Sequence, residues 1–357
     1  MRDFTYTANP ARVLFRSGSL AMLPDEAKRL DASRILVLST QEQHDSASRV
    51  AALLGSACVD IFPGAVMHTP VATTEQAVAR VAELEIDAIV AIGGGSTIGL
   101  SKAIALRTDL PQIVVPTTYA GSEVTPIIGE TRDGLKTTQT TLKVLPEVVI
   151  YDVDLTLGLP RGMSVTSGMN AIAHAVEALY ARDGNPIIDM MAVEGVGAMA
   201  RSLPLIARDA ADQEARSDAQ YAAWLCGTCL GAVGMSLHHK LCHTLGGRFN
   251  LPHAETHSIL LPHALNYNAP AVPAALAALA STLDDPHPAY ALYRLAEGLG
   301  APLGLRDLGM PEGGIDEAAD LAMSNPYWNP RPLERDAIRG CIAAAWAGEP
   351  PQSLDSR

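Results

Sequence analysis

Ten histidines occur in the 357-residue chain, and six of them, His238, His239, His243, His253, His257 and His263, fall within 26 residues. Another, His174, stands one helical turn after Asn170. The pairs Asn170/His174, His239/His243 and His253/His257 have i,i+4 spacing, so each pair projects from one face of a helix. Three such helices could converge their side chains on one cavity. A lone histidine on an apolar helix is usually a hydrogen-bonded core or surface group. Six in one short segment of a weakly charged chain point instead to metal ligation or proton transfer.

A second candidate is Gly93-Gly94-Gly95-Ser96, which follows the apolar run Ala88 to Ile92 and precedes a helical stretch from Thr97 to Leu106. A glycine turn between strand and helix lets backbone N–H groups approach a phosphate, and the helix dipole favours the anion. The spacing is not GxGxxG, so the glycines alone fit a nucleotide loop and a plain tight turn equally well. Pro116-Thr117-Thr118-Tyr119-Ala120-Gly121-Ser122-Glu123 follows the next strand-like run at the same sheet edge. Two small-polar loops at neighbouring strand ends favour nucleotide binding. Cys226-Gly227-Thr228-Cys229 is a CxxC, but it lies inside an Ala/Leu/Trp helix and reads as buried structural cysteine. Lys240, Arg248 and Arg331 could bind carboxylates, but each taken singly reads better as an ordinary surface cation.

The elements that must position these residues fall into two kinds. Over the first 150 residues, the apolar runs 35–38, 59–62, 88–92, 113–116 and 148–151 alternate with helical stretches such as 46–54 and 74–84. That pattern predicts a doubly wound, Rossmann-like parallel α/β sheet covered on both faces. After Leu159 the strand-like runs largely disappear, and 167–182, 189–208, 218–245 and 253–267 read as helices. The expected domains are 1–159, a dinucleotide-binding α/β domain, and 160–357, an all-helical substrate domain.

Composition narrows the partners. Hydrophobic residues at 48% and charged residues at 18% exclude a disordered chain. No run of about 18 uninterrupted apolar residues suggests a membrane span, and the N-terminus has no signal-peptide-like run. A net charge of −13 without a basic stripe argues against nucleic acid. An anionic ligand would therefore need a local positive site. Five cysteines, an odd count, fit a reducing cytoplasm.

Taken together, the GGGS turn, the Pro-Thr-Thr…Gly-Ser-Glu loop and the His-bearing helices ending in Ile259-Leu260-Leu261-Pro262-His263 resemble the iron-containing alcohol dehydrogenases over nearly the whole chain. Four segments resemble the branch of NAD(P)H-dependent enzymes that reduce the C=C bond of maleylacetate to 3-oxoadipate in aromatic degradation. They are residues 93–100, residues 117–123, Leu237-His238-His239-Lys240-Leu241-Cys242-His243 and Asn325-Pro326-Tyr327-Trp328-Asn329-Pro330-Arg331-Pro332. The alcohol dehydrogenases usually carry an acid where Gly99 stands, and a longer Gly-Thr-Gly-Ser-Glu loop.

The resemblance implies roles. The family's metal ligands, one Asp and three His, fall on Asn170, His174, His239 and His253. The Asp has become a neutral amide, a weaker donor, which favours a metal-free site over a three-His one. Gly94, Gly95 and Ser96 would face the pyrophosphate, Thr117, Thr118 and Ser122 the nicotinamide half, and Lys136 would contact the cofactor. Ser39 stands near the usual position of an adenosine-ribose Asp, so both NADH and NADPH are expected. His243 is first choice for donor or acid. His174, His253 and His257 follow as substrate orienters with positive character, and His239, Asn170 and Tyr327 as substrate-binding residues. A small dicarboxylate substrate, a cytoplasmic location and a homodimer complete the expectation. The rivals are a metal-dependent alcohol dehydrogenase and a lyase of the dehydroquinate synthase type, which would consume no NADH.

Overall fold

The structure, a computed structural model, describes residues 4–9, 11–132 and 135–351, without the side chains of residues 135 and 136. It divides into two compact units, residues 8–159 and residues 160 onward joined by residues 4–7.

In the first unit the strands are β1 (Arg12–Phe15), β2 (Ile35–Leu38), β3 (Cys58–Phe62), β4 (Ala88–Gly93), β5 (Gln112–Pro116), β6 (Ile127–Arg132), β7 (Leu135–Thr140) and β8 (Val148–Tyr151). Six form one parallel sheet in the order β1-β8-β5-β4-β2-β3, and β6 and β7 form a separate antiparallel hairpin. The helices are α1 (Leu23–Arg29), α2 (His44–Leu54), α3 (Val71–Glu83) and α4 (Gly95–Thr108). Alternate residues of each strand supply the two cores. Ile35, Val37, Val90, Ile92, Ile113 and Val115 pack with Leu23, Ala27, Ala47 and Val50 of α1 and α2. Leu36, Leu38, Ile89, Ala91 and Val114 pack with Ala77, Val81, Ile98 and Ile104 of α3 and α4. Burial on both faces is the physical origin of the near-continuous apolar runs.

The chain winds from β2 outward to β3, then returns past β2 to β4 and on to β5. Strand order therefore reverses between β2 and β4, the crevice where open α/β sheets bind ligands at the strands' carboxyl ends. Lys102 of α4 anchors the segment that follows β5. Its fully buried ammonium donates to the carbonyls of Ser122, Thr125 (2.8 Å) and Ile127 (2.9 Å) and to Thr125 Oγ1 (2.9 Å). Burial pulls its pKa down to about 7, and the nearby Glu123 carboxylate opposes that shift. Lys102→Met would strip four acceptors of their donor, and about 3 kcal/mol or more of folding stability is expected to be lost. Urea denaturation of the two proteins measures it.

The second unit contains α5 (Arg161–Ala178), α6 (Pro186–Arg208), α7 (Gln213–Ala232), α8 (Leu237–Phe249), α9 (His253–Asn268), α10 (Pro273–Leu283), α11 (Pro288–Gly298), α12 (Gly314–Ser324) and α13 (Arg335–Ala347), with no strand among its described residues. Every residue of α5 from Ser164 to Ala178 is buried, the signature of a central helix. It packs against α6, α7 and α9. α6 is long and apolar enough to cross a membrane by length and composition alone, but half of its apolar window is buried inside the unit. The single helix expected over 218–245 is instead two, broken at 233–236. The Asp183 carboxylate accepts from Gly234 N (2.9 Å) and Glu177 from Ser236 N (2.8 Å), so backbone donors freed by the break are satisfied.

Candidate active site

Because α5 is buried all round, its polar side chains Asn170, His174 and Glu177 need partners inside the protein. They repeat at helical spacing and so share one face. His174 Nδ1 lies 2.9 Å from His239 Nε2, and His239 Nδ1 lies 2.7 Å from Glu177 Oε2. On the far side His238 Nε2 meets His257 Nδ1 at 2.9 Å. Ring centroids link His257 to His253 (4.3 Å), His239 (5.0 Å) and His174 (5.9 Å), and His239 to His243 (6.1 Å). α5, α8 and α9 thus bring His174, His239, His243, His253 and His257 together. His263, farther along α9, makes no ring contact with them among the described residues.

Glu177 organises the cluster. Its carboxylate accepts from the backbone N–H groups of Ser236 (2.8 Å), His238 (2.8 Å) and His239 (3.4 Å) at the start of α8, as well as from the His239 ring. An acid at a helix N-terminus meets the positive end of the dipole. Burial pushes its pKa up, while these donors oppose that shift. With four N–H groups aimed at it, Glu177 acts as acceptor, so His239 carries its proton on Nδ1. His239 Nε2 then accepts from His174 Nδ1–H, a tautomer assignment that follows from the hydrogen-bond network. Glu177 was missed in the sequence, although it lies three residues after His174 on the same helix face.

The positive character expected of the histidines is corrected at His257. Burial holds His238 and His239 near pKa 3 and drives His257 well below the usual histidine value, with its imidazole neighbours pushing the same way. His238, His239 and His257 are therefore neutral at pH 7. His263 is held at about 4 by burial alone. Its unfolded pKa is ordinary, so the unfolded chain binds the proton first as pH falls. The stability due to neutral His263 is present above about pH 6.5 and is lost towards pH 4, at up to about 1.4 kcal/mol per pH unit. His263→Leu is expected to show a shallower loss of Tm between pH 6.5 and 4.5 than the parent.

His243 and His253 are only partly buried, so they form the accessible edge of the cluster. His243 Nδ1 is 2.9 Å from Tyr327 Oη, and Lys240 Nζ lies 5.8 Å from the centre of the Tyr327 ring. Partial burial pulls the Lys240 pKa below the usual lysine value. The Tyr327 segment is pinned by Asn329, whose amide exchanges two hydrogen bonds with Asn268 of α9 (3.0 and 2.7 Å) and accepts from Leu237 N (3.4 Å). Asn170 is 3% exposed, and its Oδ1 has no hydrogen-bond partner among the described residues. An unpaired buried amide oxygen is costly unless a ligand completes it.

In the α/β unit, Ser39, Gly94 and Thr117 follow the ends of β2, β4 and β5, adjacent strands of the sheet. Gly94, Gly95 and Ser96 are partly or fully exposed at the start of α4, where no side chain caps the helix. Uncapped N–H groups there suit a phosphate. Gly93 has φ of +154°, and a Cβ on Gly94 would fall 2.9 Å from Thr118 Cγ2. Bare backbone is therefore required at this turn. Ser39 Oγ and Ser122 Oγ are buried without hydrogen-bond partners among the described residues. Gln43, not foreseen, donates to Thr117 Oγ1 at 2.8 Å and ties two of these loops together. The Lys136 side chain lies outside the described residues.

Residues 10–153 match the family model "Iron-containing alcohol dehydrogenase" and residues 164–346 match "Fe-containing alcohol dehydrogenase family, C-terminal". The chain belongs to the iron-containing alcohol dehydrogenase family. It is an oxidoreductase of that nicotinamide-using family. It is similar to the maleylacetate reductase of Sphingobium indicum, 57% identical over 98% of this chain and 99% of the relative. The maleylacetate reductase of Rhizobium sp. is 55% identical over 99% of this chain and 100% of that protein. The crystal structure of maleylacetate reductase from Agrobacterium tumefaciens superposes with a TM-score of 0.94 at 54% identity, covering 98% of this chain and 100% of that one.

Against the metal ligands of the iron-containing alcohol dehydrogenases, the site is changed. An amide stands at Asn170, and among the described residues the imidazoles whose ring nitrogens gather within 4.8 Å of one another are His174, His239 and His257, a group without His253. His174 Nδ1 and His239 Nε2 are engaged with each other. The donors are an amide and imidazoles, and the carboxylate of Glu177 sits behind His239 as an orienting acceptor. This set does not fit a carboxylate-bearing iron site. At Gly99 a Cβ would fall 2.4 Å from Thr69 Oγ1, so Thr69 fills the space that the acid of other family members would need.

Proposed function

We propose that this protein is a maleylacetate reductase, using NADH or NADPH to reduce the substrate's C=C bond to give 3-oxoadipate without a metal. The observation that carries the reading is 47–57% identity, over at least 98% of the chain, to proteins named maleylacetate reductase. The amide at Asn170, where the family's metal site has a carboxylate, supports metal independence.

Gly94, Gly95 and Ser96 cradle the pyrophosphate, Thr117, Thr118 and Ser122 line the nicotinamide half, and Lys136 contacts the cofactor. When bound, the nicotinamide supplies a hydride to the alkene carbon β to the ketone. Negative charge then develops on the ketone oxygen, where positioned N–H donors stabilise it without a Lewis acid. His174, fixed through His239 and Glu177, and His253 orient the substrate. Asn170 and His257 face it with polar atoms that have no partner among the described residues. His243, paired with the Tyr327 hydroxyl, delivers the proton to the carbon between the alkene terminus and the ketone. Ser39 carries no charge to repel a 2′-phosphate. The adjacent Glu42, hydrogen-bonded to Thr40, is fully exposed and screened, so both nucleotides are accepted. Free cysteines accord with a cytoplasmic location, and a homodimer is inferred from the family.

Reduction with NADH deuterated at the transferred position tests the chemistry. One deuterium on the carbon β to the ketone in 3-oxoadipate is expected, and deuterium on an alcohol carbon, or none, overturns the reading. A second reading, a zinc-type three-imidazole site, is favoured by the 4.8 Å trio of His174, His239 and His257. Metal analysis separates the two. The metal-free reading expects unchanged turnover after exhaustive chelation, whereas stoichiometric metal whose removal abolishes activity supports the second.

A further inference from the structure

A dianionic substrate needs a cation to meet its carboxylates. The elements that carry the cluster and Tyr327 hold few candidates. Arg161 opens α5 thirteen residues before His174, about 20 Å along the helix. Arg248 is exposed and paired with Glu317 at 2.6 Å. Arg331 donates to the Tyr267 carbonyl at 2.8 Å and stacks 4.4 Å from the Tyr267 ring centre. α9 carries no lysine or arginine.

Lys240 differs from all of these. It is partly buried, neighbours His239 in the chain, and holds its ammonium 5.8 Å from the centre of the Tyr327 ring, whose hydroxyl bonds His243. Among the described residues Lys240 makes no ion pair, and its ammonium makes no hydrogen bond. A cation brought against protein surface with no anion leaves part of its solvation unreplaced, and an incoming carboxylate restores it. The neighbouring aromatic ring adds cation–π attraction but neutralises no charge.

Resting on the maleylacetate reading, we infer that Lys240 is the specificity residue that binds the carboxylate of the substrate's acetate arm. The other carboxylate is attached to the hydride-accepting carbon and so travels with it to the nicotinamide. The acetate arm lies on the far side of the ketone, separated by the carbonyl carbon alone from the carbon that His243 protonates. Lys240 and Tyr327 bracket that end, with Lys240 supplying the charge.

The test compares maleylacetate with 4-oxopent-2-enoate, which keeps the enone and the first carboxylate but ends in a methyl group. Lys240→Met is expected to raise KM for maleylacetate ten- to a hundredfold, the range for a lost charge-assisted pair. KM for 4-oxopent-2-enoate, KM for NADH and kcat on maleylacetate should change less than threefold. Lys240→Arg should recover much of the loss. An unchanged KM for maleylacetate, or equal losses on both substrates, overturns the assignment while leaving the reductase reading intact. A wild-type enzyme inert towards maleylacetate overturns both.

Discussion

Replacing His243 with alanine is expected to lower kcat on maleylacetate by roughly 10²–10⁴-fold, the range for loss of a positioned general acid. His243 lies at the accessible edge of an otherwise buried cluster, and its Nδ1 is held 2.9 Å from the Tyr327 hydroxyl. His238, His239 and His257 are fixed as neutral bases by burial and are poor proton donors at pH 7. The proton for the substrate carbon therefore has its best source in His243. Because the side chain is only partly buried, its removal should leave the melting temperature within a few degrees of the parent. Steady-state kinetics with NADH in excess measures the effect, and near wild-type turnover would remove His243 from the mechanism.

Loss of Glu177 is expected to be the costliest single change at the site. Glu177→Ala leaves the N–H groups of Ser236, His238 and His239 and the His239 ring without their buried acceptor, all at the start of the helix that carries His243. Breaking such a network typically costs about 3–5 kcal/mol. Glu177→Gln keeps the shape but turns one oxygen into a donor. If that donor faces His239 Nδ1, the ring must shift its proton to Nε2, and the bond to His174 reverses direction. The glutamine variant is expected to fold, to lose at least tenfold in kcat, and to show the altered tautomer in nitrogen-15 spectra of labelled histidine. A variant with parental kcat and parental histidine spectra would mean that Glu177 only supports the fold.

The parallel sheet was legible because burial on both faces writes strands as unbroken apolar runs, and β2 to β5 and β8 stand where those runs predict them. The hairpin of β6 and β7 escaped notice because its second strand, Leu-Lys-Thr-Thr-Gln-Thr, has no apolar alternation. The break between α7 and α8 was hidden because its backbone donors are satisfied by Asp183 and Glu177, carboxylates more than 50 residues away in sequence. The same non-locality concealed Glu177, which in sequence is one acid on an apolar helix. Spacing did bring out the histidine pairs. It could not report their charge, since that depends on how deeply α5, α8 and α9 bury them. The expectation of positive character therefore fails at His257, and Lys240 stands at the edge of the cluster as a cation.

The central claim is tested most directly by following NADH absorbance with maleylacetate and, separately, a panel of aldehydes, before and after exhaustive chelation. The account predicts rapid, stoichiometric NADH oxidation with maleylacetate, undiminished by chelation, and little with any aldehyde. Preferential aldehyde reduction that vanishes with the metal, or substrate turnover without net NADH consumption, would contradict it.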